Sequence, residues 1–542
     1  MTIGYTYDGK LITRLALSGV VTGAVAYAYD NDFRPVSEIV NGAFTAAYSF
    51  DADGLLTNAG PCRLGRAPES GLLTGISLSN ATDTFAYNGY GEVTNYTALT
   101  NGYPVFSVAY ARDALGRIES ATETVEGAAI ASTYQYDPAG RLVAVVTNGA
   151  GTNSYAYDGN GNRTSCVVNG VSWSAAYDGQ DRLTNMQSAS STQQFLYNTG
   201  GDLTNKISEA GVTGYTYDGG GNLMAVDLPG GTNIAYRVDG FGRRVAKFVD
   251  GVFTQGFLYG SGLLPLAELD AQSNVVSRFV YGGGNAAPLY MIRSGNVYRI
   301  ITDHRGSPRL VVQADTGVIA QRLDYDEWGR VLNDSTPGFQ PFGFAGGLYD
   351  ADTGLVRFGA RDYAPETGRW LIRDPAGFMG PDVNLYAYCS NDPVNLADSL
   401  GLGPNWVTMG TGAGQMGYGS WQVISGVAAA TAGGGPLTPA GAWGIVQAIS
   451  GVNNFGYGVW NVASGIATPD KPAAFPSSQK PIVDALQEYN EHGIPLSEFG
   501  SDWHPELPPG YLPASTQQHL MDTYGPKPET APCSQNCYPL SL

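Results

Sequence analysis

The sequence predicts a mainly β protein built from repeated antiparallel hairpins and followed by a Gly/Ala-rich, helical C-terminal segment. Three observations predict it. An aromatic-x-aromatic-Asp pattern recurs about every 20 residues along the first half of the chain. Gly accounts for 74 of 542 residues, roughly twice its usual share, so turns are plentiful. No Asp, Glu, Lys or Arg occurs in the 71 residues between Asp398 and Asp470, where the composition changes abruptly.

Composition limits the classes of partner. Hydrophobic residues make up 43% of the chain, enough for a large core. The formal net charge is −19, and no local basic patch interrupts the acidic balance. Because phosphate backbones are repelled by such a surface, the repeat region is not expected to bind nucleic acid.

The repeat units explain the predicted hairpins. Typical copies read "YQYDPAGRL", "YAYDGNGNR", "AAYDGQDRL" and "YTYDGGGNL". A unit of about 20 residues holds two strands of about 6 residues and their turns, which is one hairpin per repeat. The second aromatic residue recurs at spacings of 21, 20, 20 and 20, at Tyr136, Tyr157, Tyr177, Tyr197 and Tyr217.

The residue types that recur in each repeat unit have structural explanations. Asp bonds to its own downstream backbone and Gly accepts positive φ, so the pair suits a tight turn. The tyrosines are predicted to form a stacked wall of rings rather than a sugar or cofactor platform. The aspartates predicted to serve only in turns are Asp137, Asp158, Asp178 and Asp218.

These units resemble the YD repeats of bacterial Rhs proteins, of the C components of insecticidal toxin complexes and of the teneurin shell. From Gln321 onward, "YDEWGR", "PFGFAG" and "GARDYAPETGRWLIRDP" are similar to the Rhs repeat-associated core, and "ITDHRGSPRLV" before them is typical of the same proteins. The resemblance implies that the hairpins join edge to edge into a sheet that spirals into a hollow shell around the C-terminal part of the chain. Four segments are expected: a shell (1–322), a core (323–402), an apolar helical hairpin (403–469) and a Pro-rich polar tail or payload remnant (470–542).

The same resemblance implies a site of self-cleavage. In such proteins the core ends in motifs matched here by "RDPAG", "NLYAYCSNDP" and "PVNLADSLGL". Carried over to this sequence, Asp374 and Asp398 form an aspartyl dyad, and the cut falls between Leu402 and Gly403. Two facing carboxylates share a proton, so one can activate water while the other polarises the peptide carbonyl. Arg373 is expected to hold a carboxylate or to stabilise the oxyanion.

Other interpretations of these aspartates stay open. Both aspartates could simply form turns, as those of the repeats do. Asp382 and Asp392 are nearby competitors for a place in the dyad. Ser399 stands where the resembled motif usually has Pro, which frees φ and restores an N–H beside Asp398.

No cofactor and no metal are expected. Cys533 and Cys537, in "PCSQNC", lack the His or second Cys pair of a zinc site. The histidines of the tail lack HxxxH or HExxH spacing; they are His492, His504 and His519.

The apolar run 421–467 is interpreted as two helices joined by a Pro-containing turn. A hairpin held in the shell or used in translocation is favoured over a transmembrane anchor, because four Asn and Gln residues interrupt the second helix.

The sequence therefore predicts a toxin carrier that encloses its own C-terminal segment as cargo and is at most a single-turnover aspartyl protease. Its expected partners are that cargo, a secretion apparatus or a cognate immunity protein, and a membrane through 421–467. The start lacks a signal peptide, so export by another route to the cell surface or exterior, or a start inside a longer chain, is expected. The alternative is a cell-surface adhesin or carbohydrate-binding wall protein that does not cut itself.

Overall fold

The computed structural model describes residues 1–282, 286–375, 377–379, 382–403 and 405–406, and these residues are almost entirely β. The first half of the strands are β1 Thr2–Asp8, β2 Leu11–Ser18, β3 Gly23–Tyr29, β4 Pro35–Val40, β5 Phe44–Phe50, β6 Leu56–Ala59, β7 Cys62–Arg66, β8 Leu73–Leu78, β9 Ala81–Tyr87, β10 Val93–Thr100, β11 Tyr103–Arg112, β12 Ile118–Val125, β13 Ala128–Tyr136, β14 Leu142–Thr147, β15 Gly151–Tyr157 and β16 Arg163–Val168. The next are β17 Val171–Tyr177, β18 Leu183–Gln187, β19 Thr192–Tyr197, β20 Leu203–Ser208, β21 Gly211–Tyr217, β22 Leu223–Asp227, β23 Asn233–Val238, β24 Arg244–Val249, β25 Val252–Tyr259, β26 Pro265–Leu269, β27 Val275–Val280, β28 Tyr290–Arg293, β29 Asn296–Thr302, β30 Pro308–Gln313, β31 Ile319–Tyr325 and β32 Val331–Asp334.

These 32 strands form one sheet in which each strand pairs antiparallel with the next strand along the chain. We call this sheet the ribbon. Because neighbours in sequence are neighbours in space, short turns suffice for most of the connections. The predicted mainly β fold of repeated hairpins is confirmed.

The turn after β13 shows how a repeat closes. The Asp137 Oδ1 atom accepts the N–H groups of Ala139 and Arg141, each at 2.9 Å, and Oδ2 accepts the Arg141 Nε–H at 2.7 Å. The Gly140 N–H donates to the Asp137 carbonyl oxygen at 2.9 Å, with Gly140 at φ 86°. One aspartate thus fixes the whole turn. The predicted turn role of Asp158, Asp178 and Asp218 is confirmed by the same N–H contacts at i+2 and i+4.

Tyr157 links the turn at Asp137 to the next repeat. The Arg141 guanidinium lies 5.0 Å from the centre of the Tyr157 ring and donates to the Asp158 carbonyl oxygen at 2.8 Å. The Tyr157 hydroxyl in turn donates to the Leu142 carbonyl oxygen at 2.7 Å. Tyr157 is therefore held by the preceding repeat at its ring face and at its hydroxyl, and Tyr136 is held in the same way by Arg117 and the Ile118 carbonyl oxygen.

The ribbon winds back on itself, so that later strands lie over earlier ones. Leu15 and Val25 of the first strands share a buried core with Phe257 and Phe279. Buried ion pairs also join the two windings, and removal of one partner from such a pair typically costs about 3 to 5 kcal/mol. The buried pairs are Glu38 with Arg278 and Asp83 with Arg299, and the half-buried pair of Glu123 with Arg309 joins the windings as well.

Residues 340–403, here called the core segment, pack against one face of the ribbon. They contain a four-stranded sheet, formed by β33 Leu348–Asp350, β34 Leu355–Phe358, β35 Arg361–Ala364 and β36 Arg369–Trp370. They also contain three short 3-10 helices (Phe344–Gly346, Gly377–Met379, Cys389–Asn391) and the strand β37 Leu396–Ala397. β37 pairs with β38 Asn405–Trp406, which lies just beyond the segment. Contacts with the ribbon include the Arg244–Asp362 ion pair at 2.7 Å and the hydrogen bond from the Tyr236 hydroxyl to Asp350 at 2.6 Å.

The predicted segment boundary after residue 322 falls inside β31, and the ribbon continues to Asp334. The predicted helical hairpin and polar tail lie outside the described residues, apart from 403 and 405–406.

Candidate active site

Asp374 and Asp398 each begin an Asp-x-x-Gly turn in the core segment. The Gly377 N–H donates to the Asp374 carbonyl oxygen at 2.9 Å, and the Gly401 N–H donates to that of Asp398 at 3.3 Å. Both glycines have positive φ, 57° and 69°. The two aspartates therefore begin turns of the kind that Asp137 begins in the ribbon.

A short hairpin surrounds Asp398. β37 pairs antiparallel with β38, with Leu396 opposite Trp406 and Ala397 opposite Asn405. The chain before Asp398 and the chain after the predicted cut are thus joined by strand pairing. The turn between them carries the Leu402–Gly403 peptide bond.

Arg361, at the start of β35, connects the two aspartates. Its Nη2 atom lies 2.9 Å from Asp374 Oδ2 and 3.0 Å from Asp398 Oδ2. Its Nε–H donates to the Gly401 carbonyl oxygen at 2.6 Å, and its guanidinium lies 4.1 Å from the centre of the Trp370 ring. Because one nitrogen contacts both carboxylates, the two predicted dyad residues are neighbours in space.

The Asp398 carboxylate also contacts the backbone at the predicted cut. Its Oδ1 accepts the Leu402 N–H at 3.1 Å, and its Oδ2 accepts the Gly403 N–H at 2.9 Å. The Gly403 nitrogen is the atom that would leave if the Leu402–Gly403 bond were hydrolysed. A carboxyl group in this position is within reach to protonate that nitrogen.

Burial governs the protonation of Asp398. The residue is only 1% exposed. Loss of hydration raises the pKa of Asp398 and the charge of Asp374 raises it further, whereas Arg361 and the two backbone N–H groups lower it; the net direction is upward. Burial first, and then the Asp398 charge, raise the pKa of the neighbouring Cys389 thiol well above its ordinary value, so this sulfur stays protonated at neutral pH.

The structure places the other predicted residues as follows. Arg373 is exposed, with its Cδ 3.7 Å from where a Cβ on Gly201 would stand. The cation between the carboxylates is instead Arg361. Asp392 is buried, its carboxylate accepts from the Asn395 amide, and burial above all raises its pKa to about 6.

Asp382 accepts the Asn384 N–H at 2.9 Å, and burial raises its pKa. This carboxylate therefore supports the loop before Asn384. An arginine at a predicted strand position is the sequence signal that could have indicated Arg361. Such a charge requires a partner once the strand is buried.

Two general features complete the description. Within the described ranges, no three His, Cys, Asp or Glu side chains come together in a way that could hold a metal ion. In that same part of the chain, no helix has the length and hydropathy to cross a membrane. The run 421–467, Cys533, Cys537 and the three tail histidines lie outside the described residues.

Comparison with known proteins agrees with this architecture, which defines a YD-repeat protein: a wound ribbon of tyrosine hairpins with a core segment packed against it. The chain belongs to the teneurin YD-shell family, whose model matches residues 1–394.

Individual relatives match smaller shares. Human Teneurin-4 is 28% identical over 431 residues, which are 74% of this chain and 15% of that protein. The tRNA nuclease WapA of Bacillus subtilis is 31% identical over 205 residues, 36% of this chain and 9% of that protein. The chain therefore spans a small fraction of the length of these relatives.

A solved structure also has the fold. The pore form of the Photorhabdus luminescens Tc holotoxin, with a mutated TccC3 component, matches with a TM-score of 0.53 and 16% identity. The match covers 72% of this chain and 22% of that one. At this identity the likeness concerns the fold alone.

Proposed function

We propose that this protein is a toxin carrier of the Rhs type that cuts its own chain once, between Leu402 and Gly403. The observation that carries the proposal is the position of the buried Asp398 carboxylate, 2.9 Å from the Gly403 nitrogen and joined to Asp374 through Arg361. The substrate is part of the chain, so orientation is supplied by the fold before any chemistry begins.

The proposed reaction is hydrolysis with divided roles. Asp374, as a carboxylate, takes a proton from water, and the water oxygen attacks the Leu402 carbonyl carbon. Asp398, in its protonated form, gives its proton to the Gly403 nitrogen as the C–N bond breaks. The products are a carboxyl group on Leu402 and an amine on Gly403, and the pair of aspartates has gained and lost one proton.

Arg361 is proposed to make this proton sharing possible. Two carboxylates that approach one another cannot both ionise cheaply, and a guanidinium between them stabilises the state in which one is ionised and the other holds the shared proton. Its Nε–H bond to the Gly401 carbonyl oxygen also fixes the turn just before the cut. We therefore assign Arg361 the role that the sequence suggested for Arg373.

The carrier role rests on family membership and on two of the relatives. One is part of a toxin assembly and another is a nuclease, and they match 72% and 36% of this chain respectively. We propose that the segment after Leu402 is the cargo, and that the protein acts outside the cell or at its surface. A secretion apparatus and an immunity protein are its proposed partners.

The test is intact-mass measurement and denaturing gel analysis of the purified wild type beside Asp374→Asn, Asp398→Asn and Arg361→Lys. We expect fragments ending at Leu402 and beginning at Gly403 in the wild type and a single chain in both aspartate variants. Glu268→Gln is the matched control, because it removes a buried carboxylate of the ribbon that contacts neither Arg361 nor the loop before Asp398. An uncut 57.0 kDa wild type would overturn self-cleavage and favour the adhesin alternative.

A further inference from the structure

The loop that leads into Asp398 is held by distant parts of the ribbon. The Asn395 Oδ1 atom accepts the Ile118 N–H at 2.8 Å, and its amide nitrogen lies 2.9 Å from the Tyr136 hydroxyl. The Asn391 amide donates to the Gly161 carbonyl oxygen at 2.8 Å. The residues between Asn391 and Asp398 therefore take their position from the repeats they contact rather than from their own short 3-10 turn.

A further contact between the ribbon and this loop comes from His304. This residue lies in the turn between β29 and β30, and its Nε2 is 2.7 Å from the Val394 carbonyl oxygen. Its Nδ1 is 3.1 Å from the Tyr110 hydroxyl, which belongs to β11. A carbonyl only accepts, so Nε2 carries the proton, and the neutral ring accepts the Tyr110 proton at Nδ1.

The surroundings of His304 keep the ring neutral. Burial above all lowers its pKa to about 4; Asp303 acts against this, while Arg305 and Arg112 favour the same direction. Arg305 is itself paired with Asp303 at 2.7 Å and donates to the Pro393 carbonyl oxygen at 3.2 Å. Two adjacent residues of one ribbon turn thus hold two adjacent carbonyls of the Asp398 loop.

We propose that His304 is a positioning residue for self-cleavage: its Nε2–H, oriented by Tyr110, fixes the Val394 carbonyl and through it the placement of Asp398. This inference rests on the proposed function. His304 touches neither carboxylate nor the scissile bond, so it acts through the loop. His304 lies in the β29–β30 turn and is oriented by Tyr110 of β11. The loop therefore reaches its cutting position only when both windings of the ribbon are in place.

The discriminating pair of variants is His304→Gln and His304→Leu. Gln places an N–H donor near the position of Nε2, whereas Leu fills a similar volume without any donor. We expect His304→Leu to slow the appearance of the Leu402 fragment by about 10-fold to 100-fold, because small misplacements of reacting groups have effects of that order. We expect His304→Gln to restore most of the rate.

The time course is measured by intact mass during cell-free synthesis of the full chain, and the thermal midpoint of each variant is measured in the Asp398→Asn background, where no chain is cut. Tyr157→Phe is the matched control, since it removes one ribbon hydrogen bond that does not reach the loop. Equal rates for wild type and His304→Leu would overturn the positioning role. A slow His304→Leu that Gln does not rescue, or one that Tyr157→Phe equals, would overturn it as well.

The two proposals fail in different ways. If the wild type is never cut, self-cleavage itself is wrong. If the wild type is cut and Asp398→Asn is not, while His304→Leu cuts at the wild-type rate, only the positioning inference is wrong.

Discussion

The ribbon turn at Asp137 and the core turn at Asp398 are the same turn with different neighbours. In each, the N–H of the residue at i+4 donates to Oδ1, and the Gly N–H at i+3 donates to the Asp carbonyl oxygen. In the ribbon the residue at i+4 is Arg141, whose Nε–H binds Oδ2. In the core it is Leu402, and Oδ2 accepts the Gly403 N–H and the shared Arg361 instead.

This difference has an electrostatic consequence. At Asp178, a ribbon turn of the same kind, partial burial acts to raise the pKa, but hydrogen bonds from the Arg182 side chain and two backbone N–H groups lower it overall. At Asp398 deeper burial prevails and the pKa rises. The comparison teaches that the same turn can shift the pKa of its aspartate in opposite directions, depending on whether an arginine at i+4 pairs with the carboxylate and on how deeply the carboxylate is buried.

The strongest way to break the comparison is to return the missing arginine. We expect Leu402→Arg to slow self-cleavage by about 100-fold or more, because an arginine at i+4 would pair with Oδ2 and hold Asp398 ionised, which removes its use as an acid. Mass spectrometry of the purified chain gives the cut fraction. Leu402→Gln controls for side-chain length without charge, and cutting of Leu402→Arg at the rate of Leu402→Gln would refute the argument.

A second test separates the pH responses of the two regions, using the Asp374→Asn background so that every chain is intact. Asp392 has a folded-state pKa of about 6, above its ordinary value. Its folded form therefore binds protons more tightly, and it lowers stability as pH rises from about 4 to about 6. Relative to its parent, Asp392→Asn should gain up to about 3 kcal/mol between pH 4 and pH 7.

Asp178→Asn should behave in the opposite sense. Its carboxylate has a lowered pKa in the folded state, so its contribution is present at neutral pH and is lost as pH falls through the folded-state pKa. Denaturant unfolding from pH 3 to pH 7 measures both variants. Parallel pH curves for Asp392→Asn and Asp178→Asn would contradict the assigned environments.

A third, smaller effect is expected for the ribbon turn alone. Asp137→Ala removes the acceptor of two backbone N–H groups and the pairing with Arg141, and should lower the free energy of unfolding by about 1 to 3 kcal/mol. The self-cleavage rate should be unchanged, since this turn contacts no residue of the candidate site. Urea unfolding and the mass assay are run on the same preparation, and loss of cutting here would show that the two turns are not independent.

The smallest effect concerns Ser399, which occupies the position that Pro138 holds in the ribbon turn. Ser399→Pro should raise the free energy of unfolding by about 0.4 to 1 kcal/mol by restricting the unfolded chain. The cut should persist, because the described hydrogen bonds of this turn do not use the Ser399 N–H. Thermal unfolding in the Asp374→Asn background measures the gain, and a lower midpoint would contradict it.

The fold could be predicted because the repeat encodes it locally. The spacing of Tyr157 and its neighbours and the Asp-x-x-Gly turn at Asp137 each specify a hairpin without any distant contact. The ion pairs between windings, such as Glu38 with Arg278, could not be predicted, since nothing near either residue indicates its partner.

The site was only partly predictable, for the same reason. Asp374 and Asp398 came from motifs that resemble a family, and their proximity depends on Arg361, which is distant from Asp398 in sequence. His304 lies farther still, in a turn that periodicity alone describes as one more repeat. Residues that act together across windings leave no local pattern.

The ion pairs between windings also constrain the number of repeats that separate their partners. Glu38, Asp83 and Glu123 pair with Arg278, Arg299 and Arg309, in the same order along the chain. One extra hairpin inserted between β12 and β27 would move all three arginines away from their carboxylates and leave the four buried charges of the Glu38 and Asp83 pairs without partners. The number of intervening repeats is therefore constrained by ion pairs that lie outside those repeats.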